Sequence, residues 1–167
     1  MSAATPSPSP GIGALLLRAW ALTALIDGLF SSLLSVFAYH SSVERLFQGV
    51  ASTLLGPSAL SGGARTALIG VLMHFGVALG WSTVFLLLVL ASGALRRILG
   101  APGGALKVAL VYGPFVWLVM SLVVIPLLLW RPPNITVRWW IQLVGHAPFV
   151  GLPIAASIRR GLAPPRP

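Results

Sequence analysis

The chain has 167 residues, 57% of them apolar and only 8% charged, with a mean hydropathy of +0.95. Soluble domains carry about 45 to 50% apolar and about 25% charged residues, so this balance excludes a cytosolic globular enzyme, a disordered tail and a fibrous repeat. Eleven Lys and Arg against two acids give a net charge of +9 without any cysteine; the basic residues stand singly or in pairs between apolar runs, which suits membrane orientation rather than a nucleic-acid partner, and disulfides and thiolate metal sites are excluded.

Residues 1–11 are rich in Ser, Ala, Thr and Pro and uncharged, and read as an unordered leader. A membrane span needs about 20 mostly apolar residues at about 1.5 Å each. Four runs meet this requirement, at about 12–38, 66–95, 106–130 and 139–157. None alternates with period two, and each is too long for a barrel strand. The expected fold class is therefore all-α: an integral membrane four-helix bundle, one domain over residues 12–160 with a short tail over 161–167. The first run is too long for a signal peptide, lacks a basic flank before it and is interrupted by Asp27.

Between Tyr39 and Arg65 lies the longest connection. Ser41 and Ser42 can cap a helix, and Val43, Leu46, Phe47, Val50, Leu54 and Leu55 recur at helical spacing until Gly56-Pro57. A short amphipathic interfacial helix follows from this pattern. It seals the bundle, or acts as a lid over a site between the spans, with Glu44 and Gln48 as the candidate lid residues. The second run is longer than a bilayer requires and should tilt or project, and Gly76 and Gly80 give it a small-xxx-small face for helix contact. Prolines 114, 126, 148 and 153 fall inside the last two runs, where each frees a backbone carbonyl and bends its helix. Trp130, Trp139 and Trp140 bracket the loop between these runs as an interfacial belt would.

With the amino terminus inside, seven basic residues (Arg18, Arg96, Arg97, Lys107, Arg159, Arg160, Arg166) face the cytoplasm and four (Arg45, Arg65, Arg131, Arg138) face out. That bias places both termini in the cytoplasm.

An ionised carboxylate at the centre of a span costs about 2.5 to 3.5 kcal/mol, so Asp27 should face the bundle interior and have a partner. His74 and His146 also lie within spans. Counted from the outer ends of their runs, all three residues sit about 10 to 17 Å deep, in one layer of the outer half. Thr23, Asp27, Ser31 and Ser35 share one helix face, as do Thr66, Gly70, His74, Ala78 and Ser82. Gln142 and His146 pair in the same way on the fourth run. A buried polar cluster of Asp27, His74, His146 and Gln142 is expected.

The expected role of such a cluster is to fix packing in a structural or accessory membrane subunit. The alternatives are to carry protons or solute in a small transporter or channel-like protein, or to hold a metal or haem. No nucleophile elbow, phosphate loop or zinc-protease pattern argues for an enzyme, and no cofactor is named by the sequence. The expected partners are the lipid bilayer and either further copies of the chain or a larger membrane complex.

Asp27-Gly28-Leu29-Phe30, the stretch Gln48 to Gly56, Gly62-Gly63, Leu72-Met73-His74-Phe75, and His146 with Gly151-Leu152-Pro153-Ile154 carry a resemblance. In these residues the chain resembles an uncharacterised group of small bacterial four-span integral membrane proteins, over most of residues 20 to 160. The resemblance implies a bacterial cytoplasmic (inner) membrane and adds weight to Asp27, Gln48, His74 and His146 as a set. It implies no activity.

Overall fold

The computed structural model describes residues 11–162, and among these there is no strand. The expected leader falls outside the described residues except for Gly11. The expected tail does so from residue 163, the last helix continuing to Leu162. Four helices are long and apolar enough to cross a membrane: α1 (Ile12–Ala38), α3 (Gly63–Ala91), α5 (Gly104–Leu129) and α6 (Val137–Gly161). Two shorter ones join them, α2 (Val43–Leu55) and α4 (Gly93–Gly100).

The second span stops earlier than the apolar run suggests, at Ala91 rather than Leu95. Ser92 is the reason: its side chain accepts the amide of Leu95 at 3.2 Å and starts a new helix, while the Arg96 guanidinium turns back to the carbonyls of Val89 and Leu90. A hydroxyl acceptor at a helix start and a cation on the last carbonyls of the preceding one satisfy groups that both ends leave orphaned. Residues that would have prolonged one helix thus form the turn of the next.

α6 packs between α1 and α5, α3 lies against α1, and α2 runs along the start of α3. Leu15 near the start of α1 lies beside Gly161 at the end of α6, so the two termini of the described chain share one end of the bundle, with α4. The opposite end carries α2 and the loop from Trp130 to Thr136. Near the terminal end Phe85, Leu86, Val89, Leu99, Val108, Tyr112, Val116, Ile154 and Ile158 form the apolar core. Tyr112 donates its hydroxyl to the Trp81 carbonyl at 2.7 Å, tying α5 to α3, and Trp20 donates to the Phe75 carbonyl at 2.9 Å, tying α1 to α3. Leucines and valines on the outer faces of the spans stay exposed. In lipid that is no penalty, since helix association there comes from close packing and interhelical hydrogen bonds rather than from leaving water.

Two close approaches depend on glycine. A Cβ at Gly113 of α5 would collide with the His146 carbonyl of α6, and one at Gly70 of α3 would collide with the Phe47 carbonyl of α2. At both sites only the absence of a side chain lets the backbones meet. Gly76 and Gly80, by contrast, face outward with nothing within 4 Å of an added Cβ. Their small-xxx-small face therefore makes no contact within the monomer, because α3 turns its Gly70, Ala78 and Ser82 edge to the bundle instead.

Three of the spans contain a π-helical turn: Leu34–Ala38 at the end of α1, Met120–Val124 in α5 and Ala147–Gly151 in α6. In α5 and α6 the cause is proline. Pro126 and Pro153 each stand two residues after a turn, lack an amide hydrogen and crowd the carbonyl four residues back, that of Leu122 or Phe149 within the turn, and a widened turn relieves both. Such turns recur at functional sites, and here they flank the polar layer of the bundle.

The amphipathic helix α2 begins as its sequence predicts. Ser42 accepts the Arg45 amide at 3.0 Å. Ser42→Ala should cost about 1 kcal/mol of local stability, read as roughly fivefold faster hydrogen exchange of the Arg45 amide with unchanged exchange in the α5 core.

Candidate functional site

α1 and α3 lie against each other; on their small and hydroxyl faces Thr23, Ser35, Ala78 and Ser82 are buried, and Gly70 is covered by α2. Asp27 and His74 lie midway along these faces and meet. His74 Nδ1 is 3.9 Å from Asp27 Oδ2, with the two side chains 16% and 15% exposed. That is ion-pair range but longer than a hydrogen bond. Asp27 Oδ1 is buried without a hydrogen-bond partner.

The other nitrogen of His74 is engaged. Nε2 lies 2.9 Å from the Ala24 carbonyl of α1, and because a carbonyl only accepts, Nε2 carries a proton and donates it. When the ring is neutral, Nδ1 is then a bare acceptor pointing at a carboxylate, which is also an acceptor. One further proton, on the carboxyl or on the ring, turns this opposed pair into a donor facing an acceptor. The aromatic rings of Phe47, from α2, and Phe75 stand edge-on to the imidazole, each with its centroid 6.0 Å away.

His146 enters the same layer from α6. It is 8% exposed. Its Nδ1 donates to the Gln142 carbonyl one turn back at 2.7 Å, and the Trp117 ring of α5 covers it at 4.8 Å between centroids. Asp27 thus has one imidazole, that of His74, in ion-pair range, and backbone carbonyls set the tautomers of both histidines. The Gln142 side chain is not part of a hydrogen-bonded set: its Oε1 is buried without a partner, and its contribution to His146 is the backbone carbonyl. Further buried hydroxyls without partners, Thr23 and Ser82, continue the two faces toward the terminal end.

The candidate lid residues do something else. Gln48 is buried and donates its amide to Glu44 Oε1 at 3.2 Å and to the Gly63 carbonyl at 3.3 Å, while Arg45 donates to the Leu60 carbonyl at 2.6 Å. Glu44 and Gln48 thus tether α2 to the start of α3 and do not cover the cluster. Phe47 is the residue of α2 that reaches His74. In the sequence it belongs to the apolar stripe of the helix, and nothing there separates it from Leu46 or Val50.

Trp139 is a second correction. Of the three tryptophans assigned to an interfacial belt, Trp130 is 91% exposed, but Trp139 is buried at 8% and donates to Ser121 Oγ at 2.9 Å. The turn of α6 that carries Trp139 faces α5, so the indole completes an inner wall. Trp117 and Ser121, and the inward facing of Trp139, escaped the sequence reading because no ionisable group marks them.

Beyond Gln142 and Trp117, at the α2 end, lies a cavity of about 450 Å³ between the end of α1, α5, the Trp130 to Thr136 loop and α6. The cluster itself does not close into a coordination shell: among the described residues no group of three His, Cys, Asp or Glu is placed to hold a metal ion. What the arrangement can do is bind and release a proton. No protein-family model, no curated protein and no solved structure matches this chain.

Proposed function

We propose that this chain is a multi-pass protein of the bacterial cytoplasmic membrane, with both termini in the cytoplasm, that exchanges protons at Asp27 in the manner of a small proton-coupled transporter or channel-like protein. The membrane reading rests on the four long apolar helices. The orientation is supported by the excess of basic residues at the terminal end, and the bacterial membrane by the resemblance noted in the sequence.

One observation carries the proton reading. His74 Nε2 is committed to the Ala24 carbonyl, so Nδ1 and Asp27 Oδ2 oppose each other as two acceptors at 3.9 Å until a proton joins them. A residue pair serving only to hold helices together would be saturated in one protonation state, because unmade hydrogen bonds of buried groups cost about 1 to 3 kcal/mol. Here the carboxylate has one oxygen orphaned and the other waiting for a proton. Intramembrane carboxylates and imidazoles arranged in this way serve proton relays.

The second reading, a structural or accessory membrane subunit, is favoured by the Nε2 to Ala24 bond, which joins α3 to α1 across the layer. The two readings separate in proteoliposomes enclosing a pH indicator. An external acid pulse is expected to acidify the lumen faster with protein than without, and His74→Gln, whose amide can still donate to the Ala24 carbonyl, is expected to assemble normally and lose the effect by at least tenfold. Equal lumen acidification with and without protein, joined to failed assembly of His74→Gln, leaves the structural reading standing alone.

A further inference from the structure

The cavity at the α2 end has a chemistry that the proton site does not use. Its mouth carries two guanidinium groups, Arg131 and Arg138, and among the described residues neither is neutralised by an acid. The chain has only two acids; Asp27 faces His74, and Glu44 accepts from Gln48. Arg138 lies over the Tyr39 ring with its guanidinium carbon 4.2 Å from the centroid, a cation–π contact that uses none of its N–H donors. Arg131 follows Trp130, whose φ of 51° is left-handed. For a residue with a side chain that backbone costs about 1 to 2 kcal/mol, and it turns the chain so that Arg131 lines the cavity.

The interior is different. Tyr39 OH, Trp117 Nε1 and Gln142 Oε1 belong to lining residues and are buried without hydrogen-bond partners among the described residues. Two of the three are donors, and buried donors of this kind call for acceptors. The wall between them and the mouth is apolar, from Ile125, Pro126 and Leu129. The volume, about 450 Å³, is in the range of small-molecule sites, which are largely apolar with a few convergent polar groups.

We infer that this cavity binds an amphipathic anion, a carboxylate or phosphate joined to an apolar body, with Arg131 and Arg138 holding the charge and the Ile125, Pro126 and Leu129 wall holding the body. Guanidinium forks match carboxylate and phosphate oxygens in pairs, and the orphaned donors of Tyr39 and Trp117 take the acceptors that remain. The site requires no proton transfer and stands or falls separately from the reading of Asp27. Its ligand arrives either from water as a free organic acid or from the bilayer as an acidic lipid.

The test uses the full chain in phosphatidylcholine nanodiscs with radiolabelled octanoate as probe, counts in protein-free discs being subtracted. Saturable binding is expected that excess unlabelled octanoate displaces and 1-octanol, which lacks the charge, does not. The double variant Arg131→Gln/Arg138→Gln should weaken it at least tenfold. Both arginines are exposed, so the thermal midpoint should not move, and Trp117→Phe, which keeps the wall and removes one donor, should weaken binding a few-fold. If octanoate does not bind, native mass spectrometry from discs containing phosphatidylglycerol is expected to show that lipid retained by the wild type and lost by the double variant, which identifies the bilayer as the source. Absence of both signals, or equal binding by wild type and double variant, overturns the proposal.

Discussion

Asp27→Asn is expected to abolish proton uptake, by at least tenfold in lumen acidification, while leaving the bundle as stable as the wild type or more so. The change is nearly isosteric. Its new amide can donate to His74 Nδ1 and so imitates the protonated acid permanently, keeping the geometry of the pair. It also removes a buried carboxylate whose Oδ1 has no partner and whose Oδ2 stands 3.9 Å from the nearest imidazole nitrogen. Buried charges without close partners are costly, and replacing them with neutral groups of similar shape is often neutral or stabilising. Flux and thermal midpoint should thus move independently. A midpoint that falls while lumen acidification persists at the wild-type rate would make Asp27 a packing residue and end the proton reading.

Gly113→Ala carries a large expected effect on stability. The added methyl would collide with the His146 carbonyl and the Ala147 Cα, both backbone atoms that cannot rotate away, so α5 and α6 must separate. Overpacking of this kind costs about 1 to 3 kcal/mol, and here it also spreads the turn that carries His146 under Trp117. Gly80→Ala is the control: its methyl would meet nothing within 4 Å, and replacing glycine in a helix favours the helix by up to about 1 kcal/mol. A lower thermal midpoint and a broadened gel-filtration peak are expected for Gly113→Ala, and neither for Gly80→Ala. Equal midpoints in the two variants would mean that α5 and α6 do not approach at Gly113. A loss confined to Gly80→Ala would instead place the outward face of α3 in contact with another chain.

Much of this protein was determined by its sequence. Span length follows from the 30 Å of hydrocarbon and a rise of about 1.5 Å per residue, so four apolar runs could be counted directly. α2 was legible from hydroxyls before a helical stripe and a Gly-Pro stop, and the polar faces of α1 and α3 from the four-residue recurrence of small and hydroxyl residues. Where local capping competed with hydropathy the reading slipped: Leu95 looks like more of the second span, yet Ser92 and Arg96 end that helix with hydrogen bonds that hydropathy does not see.

Only the tertiary structure decided how the helices are rotated about their axes. A helix that is apolar all round has little energetic preference for which face meets a neighbour, and in lipid no water excludes the alternatives. The facing of Asp27 to His74 therefore came from the room that Gly28 leaves for the imidazole, where an added Cβ would stand 3.3 Å from His74 Nε2, and from single bonds such as that of His74 to the Ala24 carbonyl. The same freedom turned Trp139 inward to Ser121, spent Gln48 on the Gly63 carbonyl and brought Phe47 to His74 in its place. The cavity beneath Arg131 and Arg138 draws its walls from residues as far apart as Tyr39 and Gln142. Depth along each span is a local property and can be counted, whereas azimuth belongs to pairs of helices and is settled only when they pack.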